Sequence, residues 1–184
     1  MKEQEIKILQ AKDADLKHIL FVDKAAFGSD EKANLTASLI KDHSAQPVIS
    51  FLAFDNHNAV GYAIFASAKV EGWHQSDHVS ILAPLAVIPE YRNSEVDKLL
   101  MEEGIKKLKQ MGTEMVFVFG DPEHYKKLGF VPEAESFGFA PPPVLADQRR
   151  EKWMVQALTL KGLSKNVGTL VTSEFMNKNE FWQL

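Results

Sequence analysis

The stretch LAPLAVIPEYRNSEVDKLLMEEGIKKLKQMG, residues 82–112, joins an apolar segment to an amphipathic segment through a short polar loop. Its beginning completes VSILAPLAV (79–87), which is apolar at nearly every position, as a central strand buried on both faces should be. Beyond the loop, hydrophobic residues recur at helical spacing, with an inner side made of Val96, Leu99, Leu100, Leu108 and Met111. The stretch therefore predicts a buried strand followed by a helix over 95–111.

Further strands and helices are predicted on both sides of this stretch from the period of the hydrophobic residues. The predicted strands are 5–9, 48–54, 59–70, 115–119, 152–158 and 167–172, and the predicted helices are 13–27, 31–41 and 121–130. Short polar turns between consecutive strands favour antiparallel pairing. The predicted fold class is therefore α/β of the α+β type, a mixed, mostly antiparallel sheet flanked by helices. Residues 1–160 are assigned to this domain, and residues 161–184 to a C-terminal extension packed on it.

Composition and charge exclude several classes of function. The 184 residues, 45% hydrophobic and 25% charged, suit one globular domain. A net charge of −4 argues against a general nucleic-acid surface, and the absence of cysteine excludes disulfides, thiolate metal sites and a cysteine nucleophile. No apolar run approaches the ~18 residues of a membrane span, and the charged N-terminus has no apolar signal core. A cytoplasmic protein is therefore predicted.

The 82–112 stretch, together with MVFVFGDPEHYKKLGF (115–130) and Gly168-Thr169, resembles the GNAT superfamily of acetyl-CoA-dependent N-acetyltransferases. The likeness is greatest to a bacterial branch of predicted small-molecule acetyltransferases. It implies a GNAT-like acyl-CoA N-acyltransferase fold, in which the central strand and the following strand splay apart and the pantetheine arm of acetyl-CoA enters the gap. The amides of that arm are then expected to pair with backbone groups of Leu85, Ala86 and Val87.

The resemblance also places the pyrophosphate of the cofactor on the N-terminus of helix 95–111. The first N–H groups of a helix have no partners within the helix, and its dipole favours an anion there. The family loop carries Gln or Arg, two variable residues, Gly, one variable residue, and then Gly or Ala. The corresponding positions here are Arg92, Asn93, Ser94, Glu95, Val96 and Asp97. The arginine matches, whereas acids replace both small residues.

The two acids, Glu95 and Asp97, leave the behaviour of this loop open. In one interpretation the helix caps itself, because Ser94 accepts from the Asp97 N–H and Asp97 reaches back to form a capping box. Two carboxylates ~4 Å from the phosphates would in addition repel the cofactor by several kcal/mol. In the other interpretation Arg92 and Lys98 offset part of this charge, and the cofactor binds.

Three further roles are considered: a general acid, a helix cap and a general base. The resemblance implies that Tyr125 is the general acid that protonates the departing CoA thiolate; packing between helix and sheet is the alternative. Asp121 is predicted to cap the helix that carries Tyr125, with a contact to the cofactor arm as the alternative. Because the central strand holds no carboxylate, the candidates for a general base lie in the loop before it: Glu71, His74, Asp77 and His78, besides a base acting through water. The histidine pair has no clear third ligand, so no metal site is predicted.

These residues are compatible with two functions. The first is an N-acetyltransferase that moves an acetyl or related acyl group from acetyl-CoA to a primary amine of a small molecule or protein, by direct attack within a ternary complex. The second is a weak or inactive GNAT-fold binding or regulatory module that has lost tight CoA binding. Arg92, the PLAV strand and Tyr125 favour the enzyme, and the two loop acids favour the module. The expected partner is a small-molecule or peptide amine acceptor, with a homodimer as an option and with neither nucleic acid nor membrane expected.

Overall fold

The computed structural model describes residues 5–75, 77–92, 94–160 and 167–183. Within these ranges the strands are β1 (Ile6–Gln10), β2 (Ile49–Asp55), β3 (Asn58–Val70), β4 (Val79–Val87), β5 (Met115–Phe119), β6 (Phe139–Ala140), β7 (Trp153–Ala157) and β8 (Gly168–Val171). The α-helices are α1 (Leu16–Phe27), α2 (Asp30–Lys41), α3 (Val96–Gln110), α4 (Pro122–Tyr125) and α5 (Asn179–Trp182). Most of these elements begin and end within two residues of the predicted ones.

The main sheet has the strand order β1-β2-β3-β4-β5-β7. Its neighbours pair in antiparallel fashion except β4 and β5, which are parallel because α3 carries the chain back between them. The short strand β8 pairs with the far end of β3 and with β6. The predicted mixed, mostly antiparallel sheet flanked by helices is confirmed.

The two faces of the sheet are covered by different helices. Alternating residues of the long strand β3 point to opposite faces, as the period of a strand requires. Tyr62 and Ile64 belong to the core beneath α1 and α2, whereas Ala63 and Phe65 belong to the core beneath α3. Gly104 of α3 lies directly over Phe65, and a Cβ atom at this position would stand 2.3 Å from the ring. A glycine is therefore required for this close helix-to-sheet contact.

The corner between α1 and α2 is built from a glycine and a capping serine. Gly28 ends α1 in the left-handed conformation, with φ of 69°. Ser29 then caps α2, because its Oγ accepts from the backbone N–H groups of Glu31 at 3.1 Å and Lys32 at 3.5 Å. This corner brings the end of α1 and the start of α2 to the C-terminal end of β4.

Two predictions about the helices were wrong in detail, and one core residue of α3, Met101, was not predicted. Met111 is 37% exposed rather than buried, because it lies beyond the last helical residue, where Gly112 turns the chain. Met101 is 3% exposed and takes a place in the core, since it lies one turn before Gly104 on the buried stripe. The predicted helix 121–130 is instead α4 followed by a 3-10 turn over Lys126–Leu128.

Candidate active site

The strands β4 and β5 separate halfway along their length. They pair from Val79 opposite Met115 to Leu82 opposite Val118 and no further. The rest of β4 remains paired with β3 only, with a register shift beside the point of separation. The gap opens into a cleft of about 670 Å³, and its β4 wall is made of Leu85, Ala86 and Val87. This is the splay that the resemblance implies, at the expected position.

The loop between β4 and α3 forms the opposite rim of this cleft. Arg92 reaches across it, since its Nη2 donates to the carbonyl oxygen of Ala26 at 2.7 Å, near the end of α1. Ser94 Oγ donates to the Tyr91 carbonyl oxygen and accepts from the Val96 N–H at 3.3 Å. Val96 itself is 1% exposed and belongs to the core beneath α3. The predicted site residue Asn93 lies outside the described residues.

The two acids of the loop have separate partners. The Glu95 side chain is 79% exposed, and its Oε1 lies 3.9 Å from Lys98 Nζ. The Asp97 side chain is 24% exposed, its Oδ2 lies 3.5 Å from His124 Nε2, and its Oδ1 accepts from the Lys98 N–H at 2.9 Å.

The predicted capping box was wrong, because Ser94 serves the N–H of Val96 instead of Asp97, and Asp97 serves the next residue instead of reaching back. The helix nevertheless occupies some of its own N-terminal donors, as the first interpretation of the loop expects.

The charges that line the cleft are balanced. The cationic side chains are those of Arg92, Lys98 and Lys127, and the anionic side chains are those of Glu95, Asp97 and Asp121. Lys127 enters this balance from the segment after α4, which is distant in sequence from the loop. The acids therefore do not make the cleft as a whole negative.

Tyr125 lies on the wall opposite the loop. Asp121 caps α4 as predicted, accepting from the Glu123 N–H at 3.0 Å, and so fixes the short helix that presents Tyr125. The Tyr125 ring covers Gly120 so closely that a Cβ atom there would stand 2.3 Å from it. The same ring meets Phe130 edge to face at 5.7 Å between centroids. Burial, followed by the charges of Asp97 and Asp121, raises the pKa of the Tyr125 phenol above its ordinary value.

A second cavity, of about 300 Å³, lies on the other side of β4. It is bounded by α1 and α2, by the Leu82–Leu85 part of β4, and by α5 near the C-terminus. Four residues line both cavities, namely Phe27, Leu85, Asp121 and Tyr125. The two cavities therefore meet where β4 leaves β5.

The candidate bases in the loop before β4 lie at the wrong end of the strand. His78 lines a separate small cavity with Pro47 and Met111, and it precedes Leu85 by about 20 Å along the extended strand. The other three candidates come even earlier in the chain. In the part of the chain that the structure describes, no cluster of three or more potential metal ligands is found. Likewise, none of the described helices is long and apolar enough to cross a membrane.

Sequence reasoning missed two charged residues beside the second cavity. Asp23 is fully buried and Lys32 is 6% exposed, and the latter lines the cavity. A signal was present for both: Asp23 falls on the apolar stripe of α1, four residues after Ile19, and Lys32 falls on that of α2, seven residues before Leu39. A charged residue on a buried stripe indicates a role that packing alone does not provide.

Comparisons with known proteins agree with this architecture. Residues 14–131 match the Acetyltransferase (GNAT) family. The uncharacterized N-acetyltransferase YjhQ of Escherichia coli (strain K12) is 39% identical over 151 residues, which cover 82% of this chain and 83% of that protein. The uncharacterized N-acetyltransferase YhbS of the same strain is 32% identical over 108 residues, 58% of this chain and 62% of that one.

Solved structures of this family share the fold. The crystal structure of YhbS from Escherichia coli in complex with CoA superposes with a TM-score of 0.84 at 24% identity, over 97% of this chain and 95% of that chain. That of a GNAT family acetyltransferase from Brucella melitensis in complex with acetyl-CoA gives a TM-score of 0.71 at 17% identity, over 95% and 99% of the two chains. The chain therefore belongs to the GNAT family of acetyltransferases.

Proposed function

We propose that the protein transfers an acetyl group from acetyl-CoA, bound in the 670 Å³ cleft, to a primary amine bound in the 300 Å³ cavity. The observation that carries this proposal is that the two cavities meet at Leu85, Asp121 and Tyr125. A donor and an acceptor that enter from opposite sides of β4 would bring their reacting atoms together there. Holding both reactants in one complex supplies much of the rate enhancement in such a reaction.

The wall of β4 suits the donor. The edge of Leu85–Val87 that faces the cleft has left β5, so its backbone groups are available to the amides of a pantetheine arm. The related proteins from E. coli and Brucella melitensis hold CoA and acetyl-CoA. A backbone N–H on this edge could also donate to the oxyanion that forms on the thioester carbonyl.

Tyr125 is positioned to act as the general acid. In the transfer, a bond forms between the amine nitrogen and the acetyl carbon, and the carbon–sulfur bond breaks. The phenol donates its proton to the sulfur, the ammonium that forms loses one to solvent, and the phenolate takes one back from solvent, so the tyrosine is regenerated. Because the pKa of Tyr125 is raised, the phenol keeps its proton across the physiological range.

The acids at the start of α3 weaken this donor site without removing it. A diphosphate needs N–H donors, and Ser94 and Asp97 must release those of Val96 and Lys98. The three cations along the cleft, Arg92, Lys98 and Lys127, supply compensating charge. An inactive binding module would have no use for a second cavity that opens beside Tyr125, so the geometry favours the enzyme.

The C-terminal extension belongs to this proposal. We infer that the extension belongs to the same domain, since in its described part, 167–183, β8 pairs with β3, and Phe181 and Trp182 line the second cavity. The rest of the predicted extension 161–184 lies outside the described residues. A small-molecule or peptide amine as acceptor, a homodimer and a cytoplasmic location stay predictions.

The proposal is tested by binding and by turnover. Acetyl-CoA at a hundred times its dissociation constant should raise the free energy of unfolding by about 2.7 kcal/mol, which thermal denaturation detects. Release of CoA thiol should then depend on added primary amine, with a reaction lacking amine as the control. Absence of a thermal shift at millimolar acetyl-CoA, or release that no amine accelerates, would reject the proposal.

A further inference from the structure

The α2 wall of the second cavity contains a buried ammonium group. Lys32 is 6% exposed, and its Nζ lies 4.2 Å from the centroid of the Phe27 ring. A lysine in the first turn of a helix opposes the helix dipole, and burial of its charge costs solvation energy. The stability of α2 therefore gives no reason for a lysine at this position.

The nearest buried carboxylate, that of Asp23, is hydrogen-bonded through one oxygen and makes no ion pair with Lys32. Tyr62 donates to Asp23 Oδ1 at 2.5 Å, whereas Asp23 Oδ2 is buried without a hydrogen-bond partner among the described residues. Across the described residues, no carboxylate oxygen lies within the 4.0 Å of Lys32 Nζ that defines an ion pair. Burial lowers the pKa of Lys32 to about 8, against the opposing charge of Asp23, so the amine remains mainly protonated at neutral pH.

The cavity contains a second lysine, and most of its other lining side chains are apolar. Lys152 also lines it, with Nζ 5.8 Å from the Phe119 ring centroid. Among the described lining residues the only carboxylate is Asp121, which stands at the junction with the cofactor cleft and caps α4. The remaining wall includes the apolar side chains of Leu35, Pro84, Phe181 and Trp182.

We propose that the acceptor is an amine that also carries a carboxylate and an apolar body, in the manner of an amino acid with an apolar side chain. The carboxylate would bind the Lys32 ammonium, the apolar body would contact the aromatic wall, and the amine would point to the junction beside Tyr125. Asp23 acts on Lys32 only from beyond ion-pair distance, so a ligand carboxylate would supply the direct ion pair and the hydrogen-bond acceptors that the buried ammonium lacks, whereas a polyamine would be repelled. The inference rests on the proposed function, because it takes this cavity as the acceptor site.

The test uses two ligands of nearly the same shape, 3-phenylpropionate and 3-phenylpropanamide, which differ in charge at neutral pH. Calorimetric titration of the protein should show the acid binding about tenfold more tightly than the amide. Lys32→Met should abolish this preference. Lys41→Met, which removes an exposed lysine from the last turn of the same helix, should retain it.

The inference is overturned if the wild-type protein binds the acid no more tightly than the amide. It is also overturned if the protein binds neither ligand detectably. This result does not depend on whether a variant folds. A preference that persists in a folded Lys32→Met protein overturns it as well. Titration with acetyl-CoA separates the two levels: acetyl-CoA binding without a preference for the acid rejects this inference alone, whereas absence of acetyl-CoA binding rejects the proposed function.

Discussion

Removing the charge of Asp97 should strengthen acetyl-CoA binding more than removing the charge of Glu95. The two substitutions, Asp97→Asn and Glu95→Gln, each keep the size of the side chain and delete one negative charge. The amide introduced by Asp97→Asn would also keep an oxygen that can accept from the Lys98 N–H, so the capping contact is preserved. The comparison therefore isolates electrostatic repulsion at the start of α3.

The expected gains in acetyl-CoA affinity follow from how exposed the two carboxylates are to solvent. Two like charges ~4 Å apart repel by about 1 kcal/mol in water and about 4 kcal/mol at an effective dielectric of 20. The Glu95 side chain is 79% exposed and already beside Lys98, so its removal should change the dissociation constant less than about fivefold. The Asp97 side chain is 24% exposed, which places its effect between the two limits, at about 2 kcal/mol or roughly a thirtyfold gain in affinity.

The assay is calorimetric titration of acetyl-CoA into both variants and the wild-type protein, at low salt and again at high salt. Salt should erase the small effect of Glu95→Gln and leave most of the effect of Asp97→Asn, because partly buried charges are screened less. Our reasoning about the loop is refuted if Glu95→Gln gives the larger gain, or if Asp97→Asn weakens binding.

Four further outcomes are expected. Tyr125→Phe should lower kcat about a hundredfold with little change in KM for acetyl-CoA. Because the pKa of Tyr125 is raised, the phenol of the wild-type protein should stay protonated, and its ionisation should cause no fall in kcat up to about pH 10. Gly120→Ala should lower kcat in a protein that still unfolds cooperatively, since the new Cβ displaces the Tyr125 ring; kcat equal to wild type would contradict this contact. Gly104→Ala should lower the free energy of unfolding by about 1–3 kcal/mol in urea denaturation, because its methyl group overlaps the ring of Phe65. Burial lowers the pKa of Lys32 to about 8, so the folded protein releases this proton at lower pH than the unfolded chain does. The free energy of unfolding should therefore rise by about 2 kcal/mol between about pH 8 and pH 10, and Lys32→Met should lack this rise.

The fold could be predicted from the sequence because its elements are locally consistent. The nearly continuous apolar run of β4, the periodic face of α3 and the glycine that follows α3 each indicate the same structure without reference to the rest of the chain. The errors fall at the ends of elements. Met111 has the spacing of a buried residue, but the helix has already ended there, and spacing alone does not show where a helix ends.

The site was less accessible to sequence reasoning, because it depends on contacts between distant segments. Ser94 and Asp97 fit the sequence pattern of a capping box, but the Asp97 carboxylate contacts His124 instead. His124 lies 27 positions away in the sequence and is brought near by the fold of the sheet. The bases proposed beside β4 were close in sequence to the correct strand but at its other end. The burial of Lys32 and Asp23, and the position of Lys32 in the wall of the second cavity, depend on how α1 and α2 pack over the splayed part of β4, which the sequence does not show.

The separation of β4 from β5 leaves a row of main-chain groups facing open space in the middle of a sheet. Most proteins keep such rows short or covered, since they invite pairing with a second polypeptide. A pantetheine arm that fills the row would act as a surrogate strand and add hydrogen bonds to the folded state alone. Resistance to proteolysis and to self-association would then rise with the concentration of the coenzyme.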